Sequence, residues 1–142
     1  MVNQQFAFAV HALSLLAHQC NEEYSSEQMS MTSDLLASSI NTNPVVVRRL
    51  LSKLSKAGLI ETQLGKKGGV RLKKNPNQIT LRHIYESVQS TSLISGNKNK
   101  ENKKCMISCK MKALMTEIIE KAEEATLKYL ESVTLAEINS KI

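Results

Sequence analysis

The sequence predicts a mainly α-helical fold with one small β-hairpin and a long helix near its C-terminus. Three observations predict it. Aromatic residues make up only 4% of the 142-residue chain and Trp is absent, so the core must be aliphatic, a composition that favours helices. Two helical patterns separated by about three residues, the spacing of a helix-turn-helix, precede the turn-rich basic stretch Gly65-Lys66-Lys67-Gly68-Gly69. An apolar repeat of about 3.5 residues, the period of a helix-helix seam, then runs through Met111, Met115, Ile118, Ala122, Ala125 and Tyr129.

Phe6 to Cys20 reads as a first helix, apolar nearly all round and therefore buried. Residues 21 to 30 are polar and read as a loop. Thr32 caps a second helix, Asp34 sits in its first turn where the helix dipole favours an anion, and Leu35, Leu36 and Ile40 form its apolar face. That helix ends near Asn41. Asn43 then caps a third helix that starts on Pro44. Val47, Leu50, Leu51 and Leu54 recur at spacings of three and four and face inward, which leaves Arg48, Arg49, Ser52, Lys53 and Lys56 outside. Gly58 stops the helix. Leu59 to Leu64 and Val70 to Lys73 are candidate strands of a hairpin wing. Thr80 begins a fourth helix with Leu81, Ile84, Tyr85 and Val88 inward, and Ile79 and Ile84 make a hydrophobic staple across its start. The long helix runs from about Cys105 to Leu130, and Leu135 and Ile138 mark a short final one.

This order divides the chain into a winged helix-turn-helix over residues 1–90, a flexible basic linker over 91–104, and a dimerisation helix with a short C-terminal helix over 105–142. With 42% hydrophobic and 23% charged residues the composition is that of a globular protein. The net charge of +6 and isoelectric point of about 9.3 favour a polyanionic partner. The apolar run from Phe6 to Ala17 is too short to span a bilayer and no basic region precedes it, so neither a membrane nor a secretory signal is expected. Three cysteines in such a chain point to a reducing cytoplasm, not a disulfide scaffold.

A single basic helix face is commonly just solvated. Here a short helix-turn-helix, a basic outer face and a glycine-lysine wing coincide, and the combination is that of a double-stranded DNA reader. The N-terminal residues of a helix in the major groove reach base edges; here these are Thr42, Asn43, Val45, Val46 and Arg49. Arg48, and Thr32 at the start of the preceding helix, count among the DNA-contacting residues as well. Asn pairs bidentately with adenine, Arg with guanine, and Val touches a thymine methyl. Lys53 and Lys56, with Lys66, Lys67 and Arg71 on the wing, are placed for phosphates or a narrow minor groove. The competing reading is a winged-helix protein-interaction module whose basic face meets an acidic protein. No phosphate-cradling loop, Ser-His-Asp pattern or metalloprotease helix is present, so no enzyme is expected.

Lys53-Leu54-Ser55-Lys56-Ala57-Gly58-Leu59-Ile60, then Gly65-Lys66-Lys67-Gly68-Gly69-Val70-Arg71-Leu72, then Ile79-Thr80-Leu81-Arg82-His83-Ile84-Tyr85 together resemble the Rrf2 family of bacterial transcription regulators, and within it the YwnA-like branch. The resemblance extends from the first helix into the long C-terminal one. It implies a homodimeric winged-helix repressor or regulator, paired through that long helix and reading a palindromic site. The chain departs from the family pattern twice. The family's wing starts Arg-Gly where this chain has Leu64-Gly65, so Lys66 or Lys67 must replace a minor-groove arginine. Iron-sulfur members carry three cysteines before the dimerisation helix, where this chain has only Cys105 and Cys109.

Three readings of Cys105 and Cys109 stay open. Four apart on a helix, they share a face; Lys103, Lys104 and Lys110 flank them, and they lie near a helix N-terminus, conditions that favour reactive thiols and hence redox sensing. A cluster or metal completed by a residue from the partner subunit, with His11 or His18 as conceivable donors, is the second; two cysteines alone fall short of cluster ligation. No sensing role is the third. No cofactor is assigned, and the effector is not legible. Cys20 reads as a small buried hydrophobe and Met106, Met111 and Met115 as interface packing.

Overall fold

A computed structural model of the chain describes residues 4–21, 30–66, 68–89 and 91–142, with 19–21 described by their backbone alone. Along them run α1 (Gln5–Asn21), α2 (Ser33–Ile40), α3 (Pro44–Lys56), β1 (Ile60–Gln63), β2 (Gly69–Leu72), a 3-10 turn (Pro76–Gln78), α4 (Leu81–Val88), α5 (Met106–Glu131) and α6 (Leu135–Asn139). The expected polar loop falls largely on residues outside the described set, as does Lys67; nothing is described of the Cys20 side chain.

Helix ends sit where side chains satisfy the free backbone groups. The Leu35 N–H donates to Thr32 Oγ1 at 3.2 Å, and the Val45 N–H donates to Asn43 Oδ1 at 2.8 Å. Asn41 closes α2 in the left-handed region at φ 63°, a conformation Asn tolerates better than most residues. At α4 the cap is reciprocal: the His83 N–H donates to Thr80 Oγ1 and the Thr80 N–H to His83 Nδ1. His83 thus takes the position of the usual Glu or Gln of a capping box.

The core is aliphatic, with Leu13, Leu36, Val47, Leu54, Leu59, Ile60, Ile79, Ile84 and Leu135 fully buried. The inner faces expected for α3 and α4 are the buried ones. Two expectations are corrected. Leu35 is exposed on the outside of α2, and Ala37 takes the inner place beside Leu36. α1 is not enclosed all round: Ala7, His11 and His18 form an exposed edge, where His11 Nε2 lies 3.0 Å from Ser39 Oγ. Phe6 meets Tyr85 edge-on at 5.7 Å. Burial pushes the Tyr85 phenol above its ordinary pKa, and the Glu123 carboxylate adds to the shift.

Two backbone pairings join segments distant in sequence. β1 and β2 are antiparallel in the register Ile60↔Leu72 to Gln63↔Gly69. Val70 also exchanges both backbone bonds with Met31, at 3.1 and 2.8 Å, so the residue just before α2 lies along the wing. A Cβ on Gly69 would stand 2.6 Å from the Met31 carbonyl oxygen; only glycine lets the strands approach this closely. At the other end, the Leu81 N–H donates to the Val133 carbonyl (2.9 Å) and the Leu135 N–H to the Ile79 carbonyl (2.8 Å). Leu130, Val133, Leu135 and Ile138 therefore share one core with α1 and α4.

Removing the fully buried Leu54 side chain as Leu54→Ala is expected to cost about 3 kcal/mol, transfer and cavity terms combined. Gly69→Ala is expected to cost about 1–3 kcal/mol because the new methyl group meets backbone that cannot yield locally. Urea unfolding followed by circular dichroism checks both; a neutral Gly69→Ala would refute the close approach.

Candidate nucleic-acid interface

α3 is built to show one face. Successive residues turn by about 100°, so burying Val47, Leu50, Leu51 and Leu54 sends Val45, Arg49, Ser52 and Lys56 to the opposite side. All four are exposed. Val45 and Val46 are large apolar side chains held open to solvent, 46% and 38% exposed, at the N-terminal end. Asn43 uses its oxygen as the cap, which leaves its amide NH2 for another partner. Thr42 is half-buried, its N–H donating to the Ala37 carbonyl at 3.0 Å, and Thr32 is exposed but engaged as the cap of α2.

The two flanks of α3 differ. On one, Lys53 is half-buried and its Nζ donates to Gln5 Oε1 on α1 at 2.7 Å. This lysine ties α3 to α1, a role its position in sequence did not reveal. On the other, Arg48, together with Lys56 from the outer face, lines an open groove of about 550 Å³ whose far wall is Thr62, Gly69 and Val70 of the wing. Helix and wing thus share one surface. Met31, Ser33 and Ser55 line the groove too, and the sequence reading did not single them out; Ser33 and Ser55 were legible as polar residues beside the expected helices, whereas Met31 arrives only through its pairing with Val70.

On the wing, Arg71 lies opposite Glu61 and its Nε donates to Glu61 Oε1 at 2.5 Å. The pair is partly exposed, so it constrains the guanidinium more than it stabilises the fold. Lys66 is exposed at the tip. Lys73 and Lys74, exposed just after β2, add charge that the sequence reading passed over.

Along α5, Ile107, Met111, Leu114, Ile118 and Tyr129 form an exposed apolar row, with Ala125 exposed between them and Ala122 half-buried, and Met106 is exposed at the helix start. Ile107 and Leu114 were not among the expected seam residues, although Ile107, Met111, Leu114 and Ile118 follow one another at spacings of four, three and four. Met115 turns aside and lines a cleft against segment 96–101.

The profile of the Rrf2 family, described as an iron-dependent transcriptional regulator, matches residues 2–141. The chain belongs to the Rrf2 family. It is 35% identical to YwnA of Bacillus subtilis (strain 168), named as an HTH-type transcriptional regulator, over 138 residues, 97% of this chain and 96% of that protein. A crystal structure assigned as a DNA-binding protein superposes with a TM-score of 0.71 at 32% identity, covering 94% of this chain and 97% of that one. A structure from Lactobacillus plantarum, assigned as a transcriptional regulator, gives a TM-score of 0.75 at 25% identity, covering 96% and 88%. Fold, wing and long C-terminal helix are those of winged-helix Rrf2 regulators.

The Rrf2 description raises iron, and the donor set can be tested against it. Cys105 and Cys109 are both exposed free thiols at the start of α5. Among the described residues no group of three or more His, Cys, Asp or Glu side chains is placed to hold a metal ion. Two thiols fall short of the four-ligand sets that hold iron-sulfur clusters, so the described residues of one Rrf2 chain do not fit a cluster. His11, engaged near Ser39 on α2, is not brought to these thiols by the contacts it makes.

Asn43→Ala is expected to cost about 1 kcal/mol through loss of the α3 cap, with Asn43→Ser close to neutral. Denaturant midpoints of the two variants check this; equal loss in both would show that the side chain stabilises α3 by something other than capping.

Proposed function

We propose that the protein is a sequence-specific DNA-binding repressor that acts as a homodimer on a palindromic site. The observation that carries this reading is the shared surface of α3 and the wing, with Arg48 and Lys56 on one wall of the groove and Thr62, Gly69 and Val70 on the other. α3 enters the major groove, where Asn43, Val45, Val46 and Arg49 meet base edges and Thr32 and Thr42 border the contact. Arg48, Lys56, Lys66 and Arg71 meet the phosphates, joined by Lys67 from its place in the sequence of the wing; Lys53 contributes charge from its place beside Gln5.

The exposed apolar row on α5 supports the dimer, because so many large side chains in one line are costly to leave in water. Met111, Ile118, Ala122, Ala125 and Tyr129 pair with their symmetry mates, joined by Ile107 and Leu114, and Met115 packs behind them. Residues 91–104 act as the basic linker between the winged unit and this helix. A two-fold dimer offers its α3 helices to successive major grooves about 34 Å apart. Bound there, it represses by denying the duplex to other proteins. Cys105 and Cys109 give this regulator a thiol-based redox input.

Binding is expected to weaken steeply with salt, since each neutralised phosphate contributes about 0.9 to the slope of log affinity against log salt. Arg49→Ala is expected to lose about 1–3 kcal/mol on the preferred site and to relax base preference, whereas Lys66→Ala weakens all sequences alike and lowers the salt slope by about one. Titration of labelled duplexes at several salt concentrations checks both; equal loss of discrimination in the two variants would remove the division of labour. Ile118→Glu is expected to convert the dimer to monomer without unfolding it, because the residue is 57% exposed in the single chain. Sedimentation velocity reads the result, and a wild-type monomer at micromolar concentration would end the dimer proposal.

A further inference from the structure

Between segment 96–101 and the first turns of α5 lies a cleft of about 330 Å³, separate from the α3 groove. Cys105 lines it, together with Lys100, Glu101, Ser108 and Lys112. Cys105 is the N-cap of α5 yet makes no side-chain capping bond. The surrounding stretch is strongly cationic: Lys98, Lys100, Lys103, Lys104, Lys110 and Lys112 stand against the single acidic Glu101 between residues 98 and 112. Cys109 is placed differently, its Sγ donating to the Asn102 carbonyl at 3.6 Å.

We propose that this cleft is a modification site at which Cys105 is thiolated by an anionic low-molecular-weight disulfide. The proposal rests on the thiol-sensing part of the function above and names its chemistry. The lysines draw in a disulfide that carries carboxylates, and the cleft seats its backbone beside the sulfur. Cys105, as thiolate, attacks one sulfur of R–S–S–R. A Cys105–S–S–R bond forms, the original S–S bond breaks, and R–S⁻ leaves and takes up the proton that Cys105 released to solvent. The protein thiol is oxidised and half of the disulfide is reduced.

The reaction stops there. Residues four apart on a helix hold their Cβ atoms about 5–6 Å apart, against about 3.8 Å in a disulfide. Closing Cys105 onto Cys109 would strain the first backbone bond of α5, from the Cys109 N–H to the Cys105 carbonyl at 3.1 Å. The stable product is therefore a mixed disulfide. Cys105 lies about 120° around α5 from Met111, while Ile107, Met111 and Met115 form the apolar side of the cleft, which therefore borders the proposed dimer seam.

The test uses the full reduced chain with oxidised glutathione, an anionic disulfide, and cystamine, a cationic one, followed by intact mass and peptide mapping. One glutathionyl adduct on Cys105 is expected, retained in Cys109→Ser and lost in Cys105→Ser. The glutathione-to-cystamine rate ratio is expected to fall roughly fivefold in Lys100→Gln/Lys112→Gln, since two nearby cations each contribute a factor of two to three through screened water. Comparable adduct on Cys109, a product two hydrogens lighter with Cys105 joined to Cys109, or an unchanged ratio overturns the proposal. DNA titration of the same samples keeps the readings apart. An adduct on Cys105 that leaves DNA affinity unchanged supports the site and overturns thiol sensing, whereas no DNA binding by the reduced chain overturns the regulator reading alone.

Discussion

Burial of one face of α3 is the constraint from which the rest follows. Val47, Leu50, Leu51 and Leu54 pack into a core shared with α1, α2 and α4, and a helix pinned along four such positions cannot rotate about its axis. Its opposite face is thereby fixed in direction. Lys53 and Gln5 lock one flank by a hydrogen bond, and the wing bounds the other. Surface charge contributes little to this stability; aliphatic packing supplies the rigidity that any reading of base edges requires.

The wing shows how a short hairpin gains a defined position. Two strands of four residues are marginal in isolation. Here Val70 is paired on both sides, to Thr62 in the hairpin and to Met31 before α2, so the wing is fastened to the start of the helix-turn-helix. The approach depends on Gly69. Arg71 is held across from Glu61, which directs that guanidinium along the hairpin and leaves Lys66 the more open cation. Leu64, which precedes Gly65 at the turn of the wing, is almost completely exposed.

The C-terminal segment is joined to the winged unit by more than a linker. The Thr80–Thr134 bridge and the burial of Leu130 and Leu135 seat the end of α5 on α4 and α1. Arg82 adds contacts from α4, to Glu86 at 2.8 Å and to Glu131 at 3.2 Å. A change at the start of α5, where the thiols lie, is therefore connected through one continuous helix to the body that presents α3. Such a rigid element is the kind of physical path along which two sites are coupled.

Much of this architecture was legible in the chain. The caps at Thr32, Asn43 and Thr80, the inner faces of α3 and α4, the glycine-rich hairpin and the long α5 are local patterns, and short-range sterics and hydrogen bonding set them whatever surrounds them. Leu35 was misread, and the tie of Lys53 to Gln5 and the place of Met115 in a cleft went unseen, because a residue at the edge of an apolar stripe is turned in or out by its neighbour across space. The Met31–Val70 and Thr80–Thr134 pairings, and the cleft beside Cys105, left no trace in sequence, since each depends on segments distant in the chain meeting. The sequence alone thus determined the elements and their polarity, through periodicity and capping. Only the tertiary structure decided which charged and sulfur-bearing side chains are free, because that depends on contacts made after the elements pack.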